Sequence, residues 1–80
     1  MTLETIIDTT KTFLSEEFEA DPSEIVAENN MHRTLDLDSL DYVDLVVVIE
    51  ENFGLKLTAE DFKNIQTFDD FFNFVLKNKN

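Results

Sequence analysis

The run Leu45-Val46-Val47-Val48-Ile49 decides the fold class, because five branched aliphatic residues in a row ordinarily suggest a buried strand. Its surroundings argue for a helix. Asp38 and Ser39 precede the run, and both are good N-cap residues; Asp41 and Asp44 then fill the first turns, as the positive end of a helix dipole favours. Beyond the run the apolar set continues at helical spacing to Phe53, and Gly54 is a natural C-terminal stop. The central segment is therefore predicted to be a helix that opens at Asp38 or Ser39 and closes at Gly54.

The rest of the chain repeats that logic. Leu3, Ile6, Ile7, Phe13, Leu14 and Phe18 fall on one helical stripe with Thr10 in the intervening slot, giving a first helix from about Leu3 to Phe18. Asp21-Pro22-Ser23-Glu24 carries cap and first-turn chemistry, with proline where its missing donor costs nothing, so Asp21 to Ile25 reads as a short turn pinned by Ile25. A long loop through Leu35 follows, anchored by Met31 and Leu35, with His32, the sole histidine, read as a solvated loop residue. Thr58 and Asp61 open a short third helix that ends near Asn64. Thr67-Phe68-Asp69-Asp70 starts a last helix whose inner stripe is Phe68, Phe71, Phe72 and Val75; Lys77 suits its end, and residues 78–80 are expected to fray. The predicted architecture is all-α: a small four-helix bundle with a long loop between helices 1 and 2 and a short third helix, with residues 1–80 forming a single domain.

A chain of 80 residues buries only about 60% of its unfolded surface, so the core must be dense in large apolar side chains, and eight phenylalanines supply that density. The absence of cysteine excludes disulfides, thiolate metal sites and a cysteine nucleophile. Eighteen acids against six bases give a net charge of -12, which argues against nucleic acid or an anionic membrane as partner and for basic protein surfaces. No basic patch followed by an apolar run marks a targeting segment, and the longest apolar run is far too short to span a bilayer. A methionine start and an end soon after the last helix suggest a free-standing chain.

Along the central helix, Leu45, Val46, Ile49 and Phe53 form one face and are assigned to the core, while Leu40, Val43 and Val47 form a second stripe on nearly the opposite side. Asp41, Asp44, Glu50 and Glu51 flank that second stripe, and no lysine or arginine lies between Thr34 and Leu55. On the residues alone, the second stripe fits either a helix buried on both sides or an exposed docking surface.

Asp38-Ser39-Leu40, with Leu35 four residues before the serine and Val43, Asp44, Leu45, Glu50, Glu51 and Phe53 after it, resembles the phosphopantetheine attachment site of acyl carrier proteins, and the resemblance runs without a gap from Asp21-Pro22 to Val75. It implies a non-catalytic carrier, cytoplasmic and monomeric, that holds acyl intermediates of fatty acid or related biosynthesis as thioesters. Ser39 is then the attachment point for 4′-phosphopantetheine, with Asp38 beside it, and a phosphopantetheinyl transferase supplies the group from coenzyme A. Leu40, Val43 and Val47 become apolar contacts for acyl-chain enzymes with basic docking surfaces, and Asp41, Asp44, Glu50 and Glu51 the acids that steer them.

Asp36 stands where most of the family has glycine, and aspartate tolerates unusual backbone angles better than most residues. Lys63 stands where many relatives carry an acid, which implies weaker partner contact through the third helix. Family members often hold the acyl chain between their helices, and the phenylalanine-rich lining here implies a restricted cavity.

Two readings compete. Asp36, Asp38 and Asp41 suggest a calcium loop, but numbering from Asp36 puts Leu40, Asp41 and Val47 where a ligand, a glycine and a bidentate acid are required. What survives of this reading is an acidic module for protein interaction or loose divalent-cation binding, without a prosthetic group. A serine hydrolase has no support, since no Gly-x-Ser-x-Gly elbow surrounds Ser39.

Overall fold

Short polar side chains fix where each helix begins. The computed structural model describes residues 2–78. Thr2 caps α1, Leu3–Phe18, by accepting from the Thr5 amide at 3.2 Å. Asp21 caps a single 3₁₀ turn, Pro22–Glu24. Asn30 caps α2, Met31–Leu35, and Asp38 caps α3, Ser39–Phe53. At α4, Ala59–Asn64, Thr58 and Asp61 close a reciprocal capping box, each side chain accepting from the other's amide at 3.1 Å. Thr67 and Asp70 do the same at α5, Phe68–Asn78, where the Asp70 carboxylate also accepts from the Gln66 amide.

Those bonds leave a mark on the acids. Backbone hydrogen bonds from Thr67 and then Gln66 hold the Asp70 carboxyl below the usual carboxylate range, and the Ser23 hydroxyl and amide do the same for Asp21. A lowered folded-state pKa means that this stabilisation is complete above the ordinary carboxylate pKa and is lost as the pH falls through the lowered one.

The described residues form five α-helices and no strand, so the β-branched run is helical as predicted. The first, central, third and last predicted helices are α1, α3, α4 and α5. The expected long loop holds an additional short helix, α2. Five residues cannot sustain a helix in isolation. Here Met31 is buried and the flanking backbone is pinned to the start of α5: Met31 N–H donates to Gln66 at 2.8 Å, Phe68 N–H to Asn29 at 3.0 Å and Asp69 N–H to Ala27 at 3.1 Å.

The core is aromatic. Phe53 of α3 meets Phe13 of α1 edge-on with centroids 5.9 Å apart and Phe71 of α5 at 6.3 Å, while Phe68, Phe71, Phe72 and Val75 bury the inner stripe of α5. Thr10 is the one fully buried polar side chain of the described core, and its hydroxyl donates to the Ile6 carbonyl at 2.7 Å. Leu3 departs from its assignment to the inner stripe: as the first residue of α1 it precedes the packed turns and is 43% exposed. Asn78 is the last helical residue of α5 rather than a frayed one, its side chain donating to the Phe74 carbonyl; positions 79 and 80 lie outside the described residues.

Glu19 ends α1 in the left-handed region, at φ 56 and ψ 30. An L-residue there costs about 1–2 kcal/mol that glycine avoids, offset by the roughly 0.4–1 kcal/mol of chain entropy that glycine adds to the unfolded state. Glu19 also sets an anion at the negative end of the α1 dipole. Glu19→Gly is therefore expected to stabilise the fold by about 0.5–1 kcal/mol, read as a rise of a few degrees in the thermal midpoint; a fall would show that the side chain makes a favourable contact there.

Candidate attachment site and docking face

The site grows from the junction of α2 and α3. Asp36 caps the end of α2 in the left-handed conformation, φ 47 and ψ 50, with its amide donating to the His32 carbonyl at 2.9 Å. This reversal is what a glycine would provide without strain, and aspartate is one of the few other residues that enter it readily. Leu37 follows half-buried, and the chain turns at once into α3.

Asp38 is spent on the helix: its carboxylate accepts from the Asp41 amide at 2.9 Å and its carbonyl from the Tyr42 amide at 3.1 Å. Ser39 is consequently the first helical residue, and it is exposed. The Ser39 and Leu40 amides belong to the opening turn, where no intrahelical acceptor exists, and they lie at the positive end of the α3 dipole. A hydroxyl presented there can carry a phosphodiester whose oxygens face amide donors and a favourable potential.

Among the described residues no side chain is hydrogen-bonded to this hydroxyl. His32, expected as a solvated loop residue, is instead half-buried and engaged at both ring nitrogens. Nε2 lies 2.7 Å from the Ile65 carbonyl and 3.2 Å from that of Phe62, and Nδ1 is hydrogen-bonded to the Tyr42 hydroxyl. The correction follows from α2: the short helix turns His32 inward against α4, where it packs beside Tyr42 and Phe62 with ring centroids 5.6 and 5.9 Å away. Burial pushes the Tyr42 phenol up from its usual pKa, so it remains a proton donor at neutral pH.

Below Ser39, the two stripes of α3 part company. Leu45, Ile49 and Phe53 are buried, and Val46 is half-buried against the core. Leu40, Val43 and Val47 remain 78, 62 and 46% exposed, which decides for the exposed reading of the second stripe. Asp44, Glu50 and Glu51 are exposed around it and Asp41 is half-buried, so the predicted partner residues share one outward surface.

Two cavities adjoin that surface. One, of about 410 Å³, opens between α2, α3 and α4 and is almost wholly apolar, with Val43, Val46, Ala59 and Phe62 in its lining. The other, of about 310 Å³, is a groove between the end of α1 and α3, lined by Glu17, Phe18, Asp44, Val47 and Val48. Among the described residues no group of three or more His, Cys, Asp or Glu side chains is placed to hold a metal ion, and no helix is long and apolar enough to cross a membrane.

The contact beside the site that sequence reasoning missed is the His32–Tyr42 pair. The signal available was the position of Tyr42, three residues after Ser39 and so on the same side of α3.

Comparison with known proteins identifies the family and the fold. The family model described as the phosphopantetheine attachment site matches residues 8–75. An acyl carrier protein of Ralstonia nicotianae, designated number 2, is 34% identical over 88% of this chain and 86% of its own length. The acyl carrier protein of Thermosynechococcus vestitus is 30% identical over the same shares, and that of Lactobacillus johnsonii is 31% identical over the full length of both chains. The solved structure of an acyl carrier protein from Enterococcus faecalis superposes with a TM-score of 0.77 over 98% of this chain and 99% of that one, at 23% identity, and so shares the fold. With the attachment-site model spanning most of the sequence and relatives alike over most of both chains, the family is settled: the chain belongs to the acyl carrier proteins, non-catalytic carriers whose prosthetic group is 4′-phosphopantetheine.

Proposed function

We propose that Ser39 bears the 4′-phosphopantetheine arm and that the exposed stripe of α3 is the face enzymes read. The observation that carries this is the exposed Ser39 hydroxyl at the opening turn of α3, beside amides without intrahelical acceptors. Once bound, the group supplies a thiol on a flexible tether that holds acyl chains as thioesters. The protein anchors the tether, keeps its surroundings anionic and offers a docking surface.

Attachment is a transfer from coenzyme A. A bond forms between Ser39 Oγ and the phosphorus of the phosphopantetheine half, the pyrophosphate bond breaks, the adenosine bisphosphate half leaves, and the hydroxyl proton passes to a base of the transferase. The test is to incubate the protein with coenzyme A, magnesium and a broad-specificity phosphopantetheinyl transferase, then read intact mass and map the adduct by proteolysis. One phosphopantetheine on the peptide containing Ser39 is expected; an adduct on another serine, or none with several transferases, overturns the assignment.

Partners with basic surfaces meet Asp44, Glu50 and Glu51 first, and electrostatic steering of this kind raises encounter rates by roughly 10- to 1000-fold at low salt. Reversing Asp44 and Glu50 to lysine is expected to lower kcat/KM for modification or acyl loading by about 10-fold or more. The same reversal at Glu4 and Asp8, exposed on α1, should cost much less. Equal losses, measured at one ionic strength, would move the docking face elsewhere.

The reading extends to fatty acid or closely related acyl-chain synthesis in the cytoplasm by a monomer in which residues 1–80 form one carrier domain. Coverage of 86–100% of the relatives' own lengths supports the single domain. The acidic module without a prosthetic group gives way to it, because the family model is that of the attachment site itself.

A further inference from the structure

The apolar cavity of about 410 Å³ contains a polar device with a defined sense. Tyr42 and Val43, three and four residues after Ser39, line it, so it lies on the side of α3 that a group anchored at Ser39 overhangs. A tethered apolar cargo therefore has an apolar cavity within reach, at the lower end of the volume range of small-molecule sites. Its lining is interrupted by His32 and Tyr42.

With the imidazole neutral, the hydrogen-bond chain through these two side chains runs one way. His32 Nε2 faces the carbonyls of Ile65 and Phe62, which only accept, so Nε2 carries the proton. In the neutral imidazole Nδ1 is then bare, and the Tyr42 hydroxyl must donate to it. The tyrosine proton is thus committed, and what the hydroxyl has left to offer is an oxygen lone pair. Lys63 in the same lining disfavours a cationic cargo.

Resting on the assignment of Ser39 as the attachment point, we infer that this cavity favours an uncharged acyl chain bearing a hydroxyl, which donates to the Tyr42 oxygen, over the unsubstituted chain and over the keto analogue. The keto oxygen needs a donor, and the Tyr42 proton is already taken by His32; the other side-chain donor of the lining is the ammonium of Lys63, which is exposed. The unsubstituted chain leaves the accepting lone pair of the Tyr42 oxygen facing hydrocarbon.

The experiment loads the protein, through a transferase and the corresponding acyl-coenzyme A, with octanoyl, β-hydroxyoctanoyl, ω-hydroxyoctanoyl or β-oxooctanoyl groups. Intact mass confirms each loading, and the NMR signals of the Val43 and Val46 methyls and the Phe62 ring, which line the cavity in both proteins, report the ratio of inserted to free cargo. At least one hydroxylated chain is expected to raise that ratio about 3- to 10-fold over octanoyl, the range of one neutral hydrogen bond, while the oxo chain does not. In Tyr42→Phe, which keeps the ring and deletes only the oxygen, the hydroxyl preference should vanish. Because cargoes are compared within each protein, any loss of stability in the variant cancels. Equal insertion of hydroxylated and plain chains in the wild type, or a preference that survives in Tyr42→Phe, overturns the inference while Ser39 stands. Absence of any mass increase overturns the attachment point and the inference together.

Discussion

Ser39→Ala is expected to abolish phosphopantetheine addition completely while leaving the fold intact. The hydroxyl is exposed, and the cap of α3 belongs to Asp38, whose carboxylate holds the Asp41 amide at 2.9 Å whether or not a hydroxyl follows. Alanine is also a good helix former at the first helical position, so the change in stability should stay within about 0.5 kcal/mol. The variant therefore separates attachment from folding: intact mass after incubation with coenzyme A and transferase stays at that of the unmodified chain, and circular dichroism and the melting curve match the wild type. Ser39→Thr keeps a hydroxyl but adds a methyl to the carbon bearing it, and crowding of the attacked oxygen should slow addition without altering the fold. Residual full modification of Ser39→Ala would mean that another hydroxyl carries the arm.

That outcome would matter for electrostatics as well as for location. The arm adds a phosphodiester anion to a chain of net charge -12, and the opening turn of α3 offsets that anion with amide donors and a helix dipole. Other surface serines lack this combination. Ser15 donates to the Lys11 carbonyl in the last turn of α1, and Ser23 donates to Asp21 within the 3₁₀ turn.

The parts of this molecule that could be read from sequence are those fixed by neighbours in the chain. Thr58 with Asp61, Thr67 with Asp70, and Asp38 with the Asp41 amide act over three residues, and Gly54 at φ 69 closes α3 by local backbone geometry. The split faces of α3 follow from periodicity alone once the segment is known to be helical. What escaped depends on distant partners. α2 is too short to announce itself and is held by backbone bonds to Gln66 and Phe68. His32 reads as a loop residue until α4 arrives beside it, because the carbonyl it bonds belongs to Ile65. Asp36 is intermediate: its residue type permits the left-handed turn, and the end of α2 requires it.

Phe53→Ala is expected to cost about 3–5 kcal/mol, the range for deleting a buried aromatic side chain and leaving a cavity. Phe53 is 1% exposed at the far end of α3 from Ser39, and its ring joins α1 through Phe13 and α5 through Phe71. An 80-residue domain holds roughly 4–12 kcal/mol in total, and here self-repulsion among the acids works against the folded state. The substitution should therefore leave a large part of the population unfolded at low ionic strength, with partial recovery as salt screens the acids. Modification of Ser39 should fall in parallel with helical content measured by circular dichroism, and added salt should restore both together. That coupling follows from the architecture: the serine is presented only while α3 is docked, and Phe53 is the largest of the three buried side chains, with Leu45 and Ile49, that dock it. Phe53→Leu, which keeps most of the apolar volume and loses the edge-on ring contacts, should cost about 1–2 kcal/mol and leave modification nearly complete. A stable, fully helical Phe53→Ala that is still modified normally would show that α1 and α5 hold α3 without this ring.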